Sequence, residues 1–213
     1  MVTEFCRQFD LPLTEEHPRL EIAPATREKV ISILNQKGLD PSALVLIHPG
    51  PSWTVKEWPS EHWAHLVVAL RQHGFASIAQ LGVERYLHFG QVAVKPIHGT
   101  ASLVGALTVE ECIAAISVAR LFVGIDSGLL HIAAATRTPA VGLFGSTSPQ
   151  VLYEPKLREY YVTSRVECAG CHHRLPQLHW FSGCPHDIRC MKTIGVPEVL
   201  ASCLARLEAP SGQ

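Results

Sequence analysis

Short, mostly apolar runs alternate along this chain with segments of helical period, and this alternation constrains the fold most. The apolar runs cover residues 44–47, 77–81, 121–125 and 139–144. Strands that are apolar on both sides of the pleat are buried on both faces, which is typical of parallel sheets covered by helices. The alternation therefore predicts an α/β domain with a doubly wound parallel sheet.

Amphipathic segments between these runs predict the helices. Thr26, Ser60 and Thr108 each precede an apolar stripe of helical spacing, as N-capping residues do. A further short strand is expected at the edge of the sheet, over residues 160–163. The predicted helices cover residues 26–38, 60–74, 83–94, a segment from 108, 128–136 and 196–207.

Composition excludes several classes of protein. The chain has 213 residues, 47% of them hydrophobic, and a formal net charge of -1, which suits one core with a small appendage. No basic face indicates nucleic-acid binding. The amino-terminal segment lacks the apolar region of a secretory signal, and no apolar run approaches the length of a membrane span. We therefore expect a soluble, cytoplasmic protein without a transmembrane segment.

Polar and glycine residues collect directly after the apolar runs, where ligands bind in such folds. The loop 48–59 contains Gly50, Ser52 and Lys56. Glycine lets backbone amides approach a phosphate closely, and lysine supplies a mobile positive charge. Trp58 in the same loop is more simply interpreted as a residue that packs over the following helix.

The run 121–125 continues through Asp126, Ser127 and Gly128 into a helix of small residues. The first amides of a helix in this position can bind an anion. His131 lies one helical turn after Ser127, so both side chains can face one crevice. An ordinary Asp/Ser N-cap, with the histidine packed on the sheet, explains the same segment. Taken alone, the segment leaves both interpretations open.

Two further loops add candidate contacts. Glu84 follows the second run and could accept hydrogen bonds from ribose hydroxyls, although a first-turn glutamate is also ordinary helix chemistry. Gly145 and Thr147 follow the run 139–144 and offer amide and hydroxyl groups. The chain lacks the glycine patterns of nicotinamide dinucleotide sites and P-loop kinases, and no carboxylate pair for Mg²⁺ is evident. The loops together predict a diphosphate site without a catalytic metal.

Four of the seven cysteines crowd into residues 166–190, which we call the finger. A C-x2-C pair followed by two more cysteines indicates a closed tetrahedral site for structural zinc or iron. The predicted ligands are Cys168, Cys171, Cys184 and Cys190. Free thiols are the alternative, and nearby histidines such as His172 and His173 could replace a ligand. The few aliphatic residues in the finger predict a loop.

Four motifs stand in order along the chain: HPG at 48–50, K-x-W-P at 56–59, D-S-G-x-x-H at 126–131 and F-G-S-T-S-P at 144–149. In this order and spacing they resemble glycosyltransferase family 9, the ADP-heptose:lipopolysaccharide heptosyltransferases and their relatives. The family has two facing Rossmann-like halves. The resemblance implies that this chain is the carboxyl-terminal half, which binds the nucleotide sugar.

The resemblance also implies a division of the chain. Residues 1–25 would be a linker from a missing acceptor domain, and residues 26–165 would form the nucleotide-sugar-binding domain. Residues 166–213 would form the finger and a closing helix. The family's proposed catalytic base, an aspartate, belongs to the acceptor half, so no residue here is assigned that role.

By resemblance, Lys56 would be the catalytic residue, because it would neutralise the diphosphate as ADP leaves. Asp126, Ser127, Gly128 and His131 would contact phosphate and sugar, and Glu84 would hold the ribose. The full set of predicted substrate-binding residues is Gly50, Ser52, Glu84, Asp126, Ser127, Gly128, His131, Gly145 and Thr147.

The implied reaction is the transfer, with inversion, of a heptose-like sugar from a nucleoside-diphosphate sugar such as ADP-heptose. The acceptor would be lipopolysaccharide, another glycan, a lipid-linked molecule or a protein, reached in the cytoplasm or peripherally at the inner membrane. A non-catalytic nucleotide-sugar-binding subunit, completed by a separate acceptor-domain chain, is one alternative. A metal-stabilised interaction module, forming homo-oligomers or binding proteins through the finger, is another.

Overall fold

The computed structural model describes residues 19–50, 53–86, 92–152, 161–174 and 184–208. Its strands are β1 (Val45–His48), β2 (Ile78–Gln80), β3 (Arg85–Tyr86), β4 (Val92–Ala93), β5 (Ala101–Ser102), β6 (Leu121–Ile125), β7 (Ala140–Phe144) and β8 (Tyr161–Thr163). Six of them form one parallel sheet in the order β5-β2-β1-β6-β7-β8, and β3 pairs with β4 in an antiparallel hairpin.

Helices and short turns connect the strands. The helices are α1 (Pro24–Gln36), α2 (Ser60–Gln72), α3 (Val109–Val118), α4 (Gly128–Ala135), α5 (Pro149–Leu152), α6 (Cys171–Arg174), α7 (Arg189–Lys192) and α8 (Val196–Glu208). Two 3₁₀ turns, Pro41–Ala43 and Thr54–Lys56, precede β1 and α2. Among the described residues, none of these helices has the length and apolar character that crossing a bilayer requires.

Helices cover both faces of the sheet, and each face has its own apolar cluster. On one face, Trp63 and Leu70 of α2 share a cluster with Val199 of α8. On the other face, Val30 of α1 shares a cluster with Ile116 of α3 and with residues of α4. The predicted doubly wound parallel sheet is confirmed.

The chain changes direction across the sheet at β1. It runs from β1 to β2 and β5 on one side, then crosses back to β6, β7 and β8 on the other. β1 pairs in parallel register with β2 through Val45–Ile78 and with β6 through Val45–Leu121. The connections that leave β1 and β6 therefore diverge, which opens a crevice between them at the carboxyl edge of the sheet.

Local predictions had mixed outcomes. Thr108 caps α3 as predicted, and Glu111 completes a reciprocal capping box with it. Thr26 and Ser60 do not cap. Thr26 lies inside α1, which starts at Pro24, and Ser60 is the first residue of α2, whose N-cap position is taken by Pro59. A proline near the first helical position needs no donor there and presets φ for the helix.

The helix predicted over residues 83–94 is wrong, since the described parts of this segment contain β3 and β4. Its β-branched and aromatic content favours strands over a helix. The predicted linker lies mostly outside the described residues. At its end, the Leu20 N–H donates to the Ala135 carbonyl at 3.2 Å, which holds this segment against α4.

Candidate functional site

A buried ion pair joins the loops that follow β1 and β6. Lys56 Nζ donates to Asp126 Oδ2 at 2.8 Å, and the two side chains are only 15% and 5% exposed. Lys56 ends the 3₁₀ turn after β1, and Asp126 follows directly after β6. We call the space bounded by residues 53–56, 126–128 and 145–148 the switch-point crevice.

An aromatic ring supports the lysine from another side. Lys56 Nζ lies 4.6 Å from the ring centroid of Trp53, a cation–π contact. The same Trp53 ring meets the ring of His172 edge-on, with centroids 5.6 Å apart. Trp53 thus links the lysine to the finger.

Ser127 occupies the N-cap position of α4, but its side chain makes no capping hydrogen bond. Its Oγ is buried and has no hydrogen-bond partner among the described residues. The first amides of a helix lack acceptors within the helix, so α4 begins with donors that no side chain covers here. A Cβ at Gly128 would meet open space, so this helix start is accessible to a ligand.

The loop after β7 contributes polar groups beside α4. The Ser146 and Thr147 hydroxyls are buried without hydrogen-bond partners in the described part of the chain. Finger residues hold this loop: the Gly170 N–H donates to the Gly145 carbonyl at 2.8 Å, and the His172 N–H donates to the Ser146 carbonyl at 2.9 Å. The Ser148 N–H in turn donates to His173 Nδ1 at 3.0 Å.

Three histidines lie within electrostatic reach of the ion pair. Partial burial lowers the pKa of His131 and of His173, and in both cases Asp126 opposes the shift and Lys56 adds to it. Partial burial also lowers the pKa of His172, with His173 and Lys56 adding and Asp126 opposing. All three histidines therefore interact electrostatically with both charges of the ion pair.

His48, at the end of β1 below the crevice, is buried, with only 6% of its surface exposed. The Leu81 carbonyl can only accept, so His48 Nδ1 donates to it across 3.0 Å. Burial lowers the pKa of His48, and the hydrogen bond to Leu81 opposes that shift. Nearby Gly50 adopts φ of 124°, which favours glycine, and its carbonyl would lie 3.0 Å from a Cβ on Gly82. The loops after β1 and β2 are therefore closely packed.

Glu84 lies elsewhere along the sheet edge. A Cβ on Gly105 would stand 3.1 Å from Glu84 Oε1, which places the carboxylate beside the loop after β5. Glu84 follows β2, and β2 is two strands from β6. Ser52 lies outside the described residues. Of the predicted site residues, the structure thus brings Lys56 into contact with Asp126. The ligand-binding and catalytic roles predicted for these residues are still predictions.

A cavity of about 470 Å³ opens on the other side of the Lys56 loop. Gly50, Thr54 and Trp58 line it, together with the exposed Lys95, whereas neither Lys56 nor Asp126 does. Trp58 is buried, as predicted, and its indole N–H donates to the Ile194 carbonyl at 3.0 Å. This hydrogen bond fixes the end of the loop to the segment that precedes α8.

The thiols of the finger gather beside the loop after β7. Burial raises the pKa of Cys190 to about 11, and the thiols of Cys168, Cys171 and Cys184 add to the shift. Cys171 Sγ lies 3.9 Å from the Ser146 carbonyl oxygen. Among the described residues, however, no group of three or more His, Cys, Asp or Glu side chains is arranged to hold a metal ion. The predicted metal site therefore stays a prediction.

The finger also differs from the predicted loop, because it contains the short helix α6 and the start of α7. Residues 175–183 lie outside the described part. Sequence reasoning missed Trp53, and it considered His172 and His173 only as substitute metal ligands. The sequence does carry a signal for Trp53, because an aromatic residue three positions before Lys56 in the same loop can place its ring against the lysine ammonium.

Comparisons with known proteins agree on one family. The family model described as glycosyltransferase family 9 (heptosyltransferase) matches residues 1–179. Lipopolysaccharide heptosyltransferase 1 of Pseudomonas aeruginosa is 28% identical over 141 residues, which are 62% of this chain and 37% of that protein. The chain thus spans well under half the length of this relative.

Solved structures share the fold. A family 9 glycosyltransferase from Veillonella parvula has a TM-score of 0.70 at 19% identity, covering 97% of this chain and 59% of that one. TibC from enterotoxigenic E. coli, described as an iron-containing dodecameric glycosyltransferase, has a TM-score of 0.61 at 21% identity, covering 94% and 50%. TibC in complex with ADP-D-beta-D-heptose matches with the same TM-score over 79% of this chain and 46% of that one.

Proposed function

The chain belongs to glycosyltransferase family 9, and from that premise we propose that it is the donor-binding half of an inverting glycosyltransferase. The donor would be a nucleoside-diphosphate sugar of the ADP-heptose type, bound in the switch-point crevice. The complex of TibC with ADP-D-beta-D-heptose supports this class of donor. The acceptor, whether lipopolysaccharide, another glycan or a protein, would be held by an acceptor half.

The observation that carries this proposal is the Lys56–Asp126 pair at the point where the chain reverses across the sheet. In doubly wound folds, ligands bind in the crevice at that point. The start of α4 adds amide donors on the same side, and a helix start favours negative charge. These groups together suit a diphosphate.

The proposed role of Lys56 follows from the ammonium N–H groups that Asp126 does not use. A lysine ammonium has three N–H groups, and Asp126 accepts one from Lys56. The other two can be donated to diphosphate oxygens, so Lys56 offsets the negative charge that grows on ADP as the sugar–oxygen bond breaks. Asp126 repels phosphate, so we assign it to holding Lys56 and to accepting from a sugar hydroxyl.

Bond formation involves the acceptor half. The acceptor hydroxyl oxygen would form its bond to the anomeric carbon on the face opposite ADP, which inverts the configuration. Its proton would pass to a base that we place outside this chain. This chain's residues bind the donor, orient it and stabilise the leaving diphosphate.

We further propose that one structural metal ion, zinc or iron, binds the four thiolates of Cys168, Cys171, Cys184 and Cys190. The donor set fits, because four sulfur ligands suit both ions in a closed tetrahedral site. Position supports the proposal: a Cβ on Gly145 would lie 3.0 Å from Cys190 Sγ, and Cys171 touches the neighbouring Ser146. The iron content of TibC also supports it. Such an ion would tie the finger to the loop after β7.

Isothermal titration calorimetry with a panel of nucleoside diphosphates tests the binding proposal. We expect wild-type protein to bind ADP and Lys56→Ala to bind it about a hundredfold more weakly, because two charge-assisted hydrogen bonds are lost. Lys95→Ala, an exposed lysine on the separate cavity, is the matched control and should bind like wild type. A folded wild-type protein that binds no nucleoside diphosphate would contradict the proposal.

A further inference from the structure

His173 is placed in the crevice wall by the finger. Its ring meets the ring of His172 edge-on, with centroids 4.7 Å apart, and His172 meets Trp53 in the same way at 5.6 Å. Trp53 lies under the Lys56 ammonium at 4.6 Å. A continuous row of rings therefore runs from His173 to the cation that we assign to the diphosphate.

The protonation of the His173 ring follows from its one hydrogen bond. A backbone N–H can only donate, so His173 Nδ1 accepts from Ser148 and carries no proton. In the neutral ring the proton must then sit on Nε2, which becomes a donor. Among the described residues, Nε2 has no hydrogen-bond partner. The Ser148 amide thus sets the polarity of the opposite edge of the ring.

Resting on the function proposed above, we propose that His173 is a substrate-binding residue, whose Nε2–H donates a hydrogen bond to the second phosphate of the nucleotide sugar. The buried hydroxyls of Ser146 and Thr147 lack partners in the described part of the chain. Because buried hydroxyls normally have hydrogen-bond partners, these two indicate that a polar ligand supplies the missing partners on this side of the crevice. The finger would then supply a ligand contact directly, in addition to supporting the loop after β7.

Two substitutions separate this role from mere support of the loop. His173→Asn keeps an acceptor near the position of Nδ1 for the Ser148 amide but removes the Nε2–H donor. His173→Gln places an amide N–H near the position of Nε2 but removes the Nδ1 acceptor. Binding of ADP and of AMP is measured for both variants by calorimetry. The exposed His186 of the finger gives the matched control, His186→Ala.

We expect His173→Asn to weaken ADP binding about tenfold, the usual effect of one hydrogen bond to a charged group, and to leave AMP binding within twofold. His173→Gln should bind ADP more tightly than His173→Asn, and His186→Ala should match wild type. Wild-type ADP affinity in His173→Asn, a reversed order of the two variants, or an equal loss for AMP would overturn the inference. If wild type binds no nucleoside diphosphate, the proposed function itself fails.

Discussion

The switch-point crevice and the finger lie side by side, but the protein holds them by different means. In the crevice, opposite charges meet directly, since Lys56 and Asp126 form a buried pair. In the finger, like groups gather: burial raises the pKa of Cys190, and the thiols of Cys168, Cys171 and Cys184 raise it further. The first arrangement needs nothing from outside the chain, whereas the second would gain stability from the metal ion that we propose for it, because a cation would draw the sulfurs together. Because residues 145–148 border both regions, each one affects the shape of the other.

Removing a finger ligand gives the largest expected effect. Cys168→Ser should lower the bound metal from about one ion per chain to less than a tenth, because a closed tetrahedral site needs all four ligands. Elemental analysis measures the metal, and amide hydrogen exchange should rise at residues 145–148. Cys112→Ser, a cysteine of α3, is the control. Equal metal contents in wild type and Cys168→Ser would contradict the prediction.

Breaking the ion pair should have the next largest effect. Asp126→Ala leaves a largely buried ammonium without its partner, which should cost about 3 kcal/mol of unfolding free energy in urea denaturation. Lys56→Met combined with Asp126→Ala should cost less than the sum of the two single changes. Additive losses would show that the two charges do not stabilise each other.

A substitution at Gly145 tests how closely the loop after β7 packs against the finger. A Cβ there would lie 2.8 Å from Met191 Cγ and 3.0 Å from Cys190 Sγ, so Gly145→Ala should destabilise the protein by about 2 kcal/mol through overcrowding. Gly195→Ala, where the nearest atom would be 3.7 Å away, is the uncrowded control and should cost less than about 1 kcal/mol, the usual effect of alanine at the residue before a helix. Similar losses in both variants would mean that finger and loop move apart freely.

The smallest expected effect is a pH dependence from His48 under the crevice. Burial lowers its pKa below the ordinary value of 6.5, so below that pH the unfolded chain binds a proton that the folded chain resists. The unfolding free energy should therefore fall by about 1 kcal/mol between pH 7.5 and 5.5. His48→Asn should flatten this decline. An unchanged slope in His48→Asn would assign the dependence to other groups.

The sheet was predictable because its strands are set by local composition. Leu121–Ile125 is a strand over the predicted residues, β7 starts one residue later than expected, and β8 covers the described part of the strand predicted over residues 160–163. Burial on both faces requires such runs, whatever surrounds them. The segment 83–94 was mispredicted because its apolar residues also fit a helical period, and strand propensity decided the outcome.

The site was predictable only in part, since its contacts join distant parts of the chain. Lys56 and Asp126 are 70 residues apart, and the resemblance assigned them to one ligand without showing that they touch. The position of His173 depends on how the finger folds back onto Ser148, and no local pattern encodes that path. Contacts between loops arise from tertiary packing, which propensity does not report.

The hydrogen bond from the Trp58 indole to the Ile194 carbonyl has a consequence for the minimal unit that can work. The family match ends at residue 179, and His173 is the last residue that we assign to the nucleotide sugar. A chain shortened to that point would keep His173 but would lose Cys184 and Cys190, two of the four proposed metal ligands, and the Lys56 loop would lose the acceptor that fixes its far end. A unit able to carry the proposed function must therefore extend at least to the backbone carbonyl just before α8.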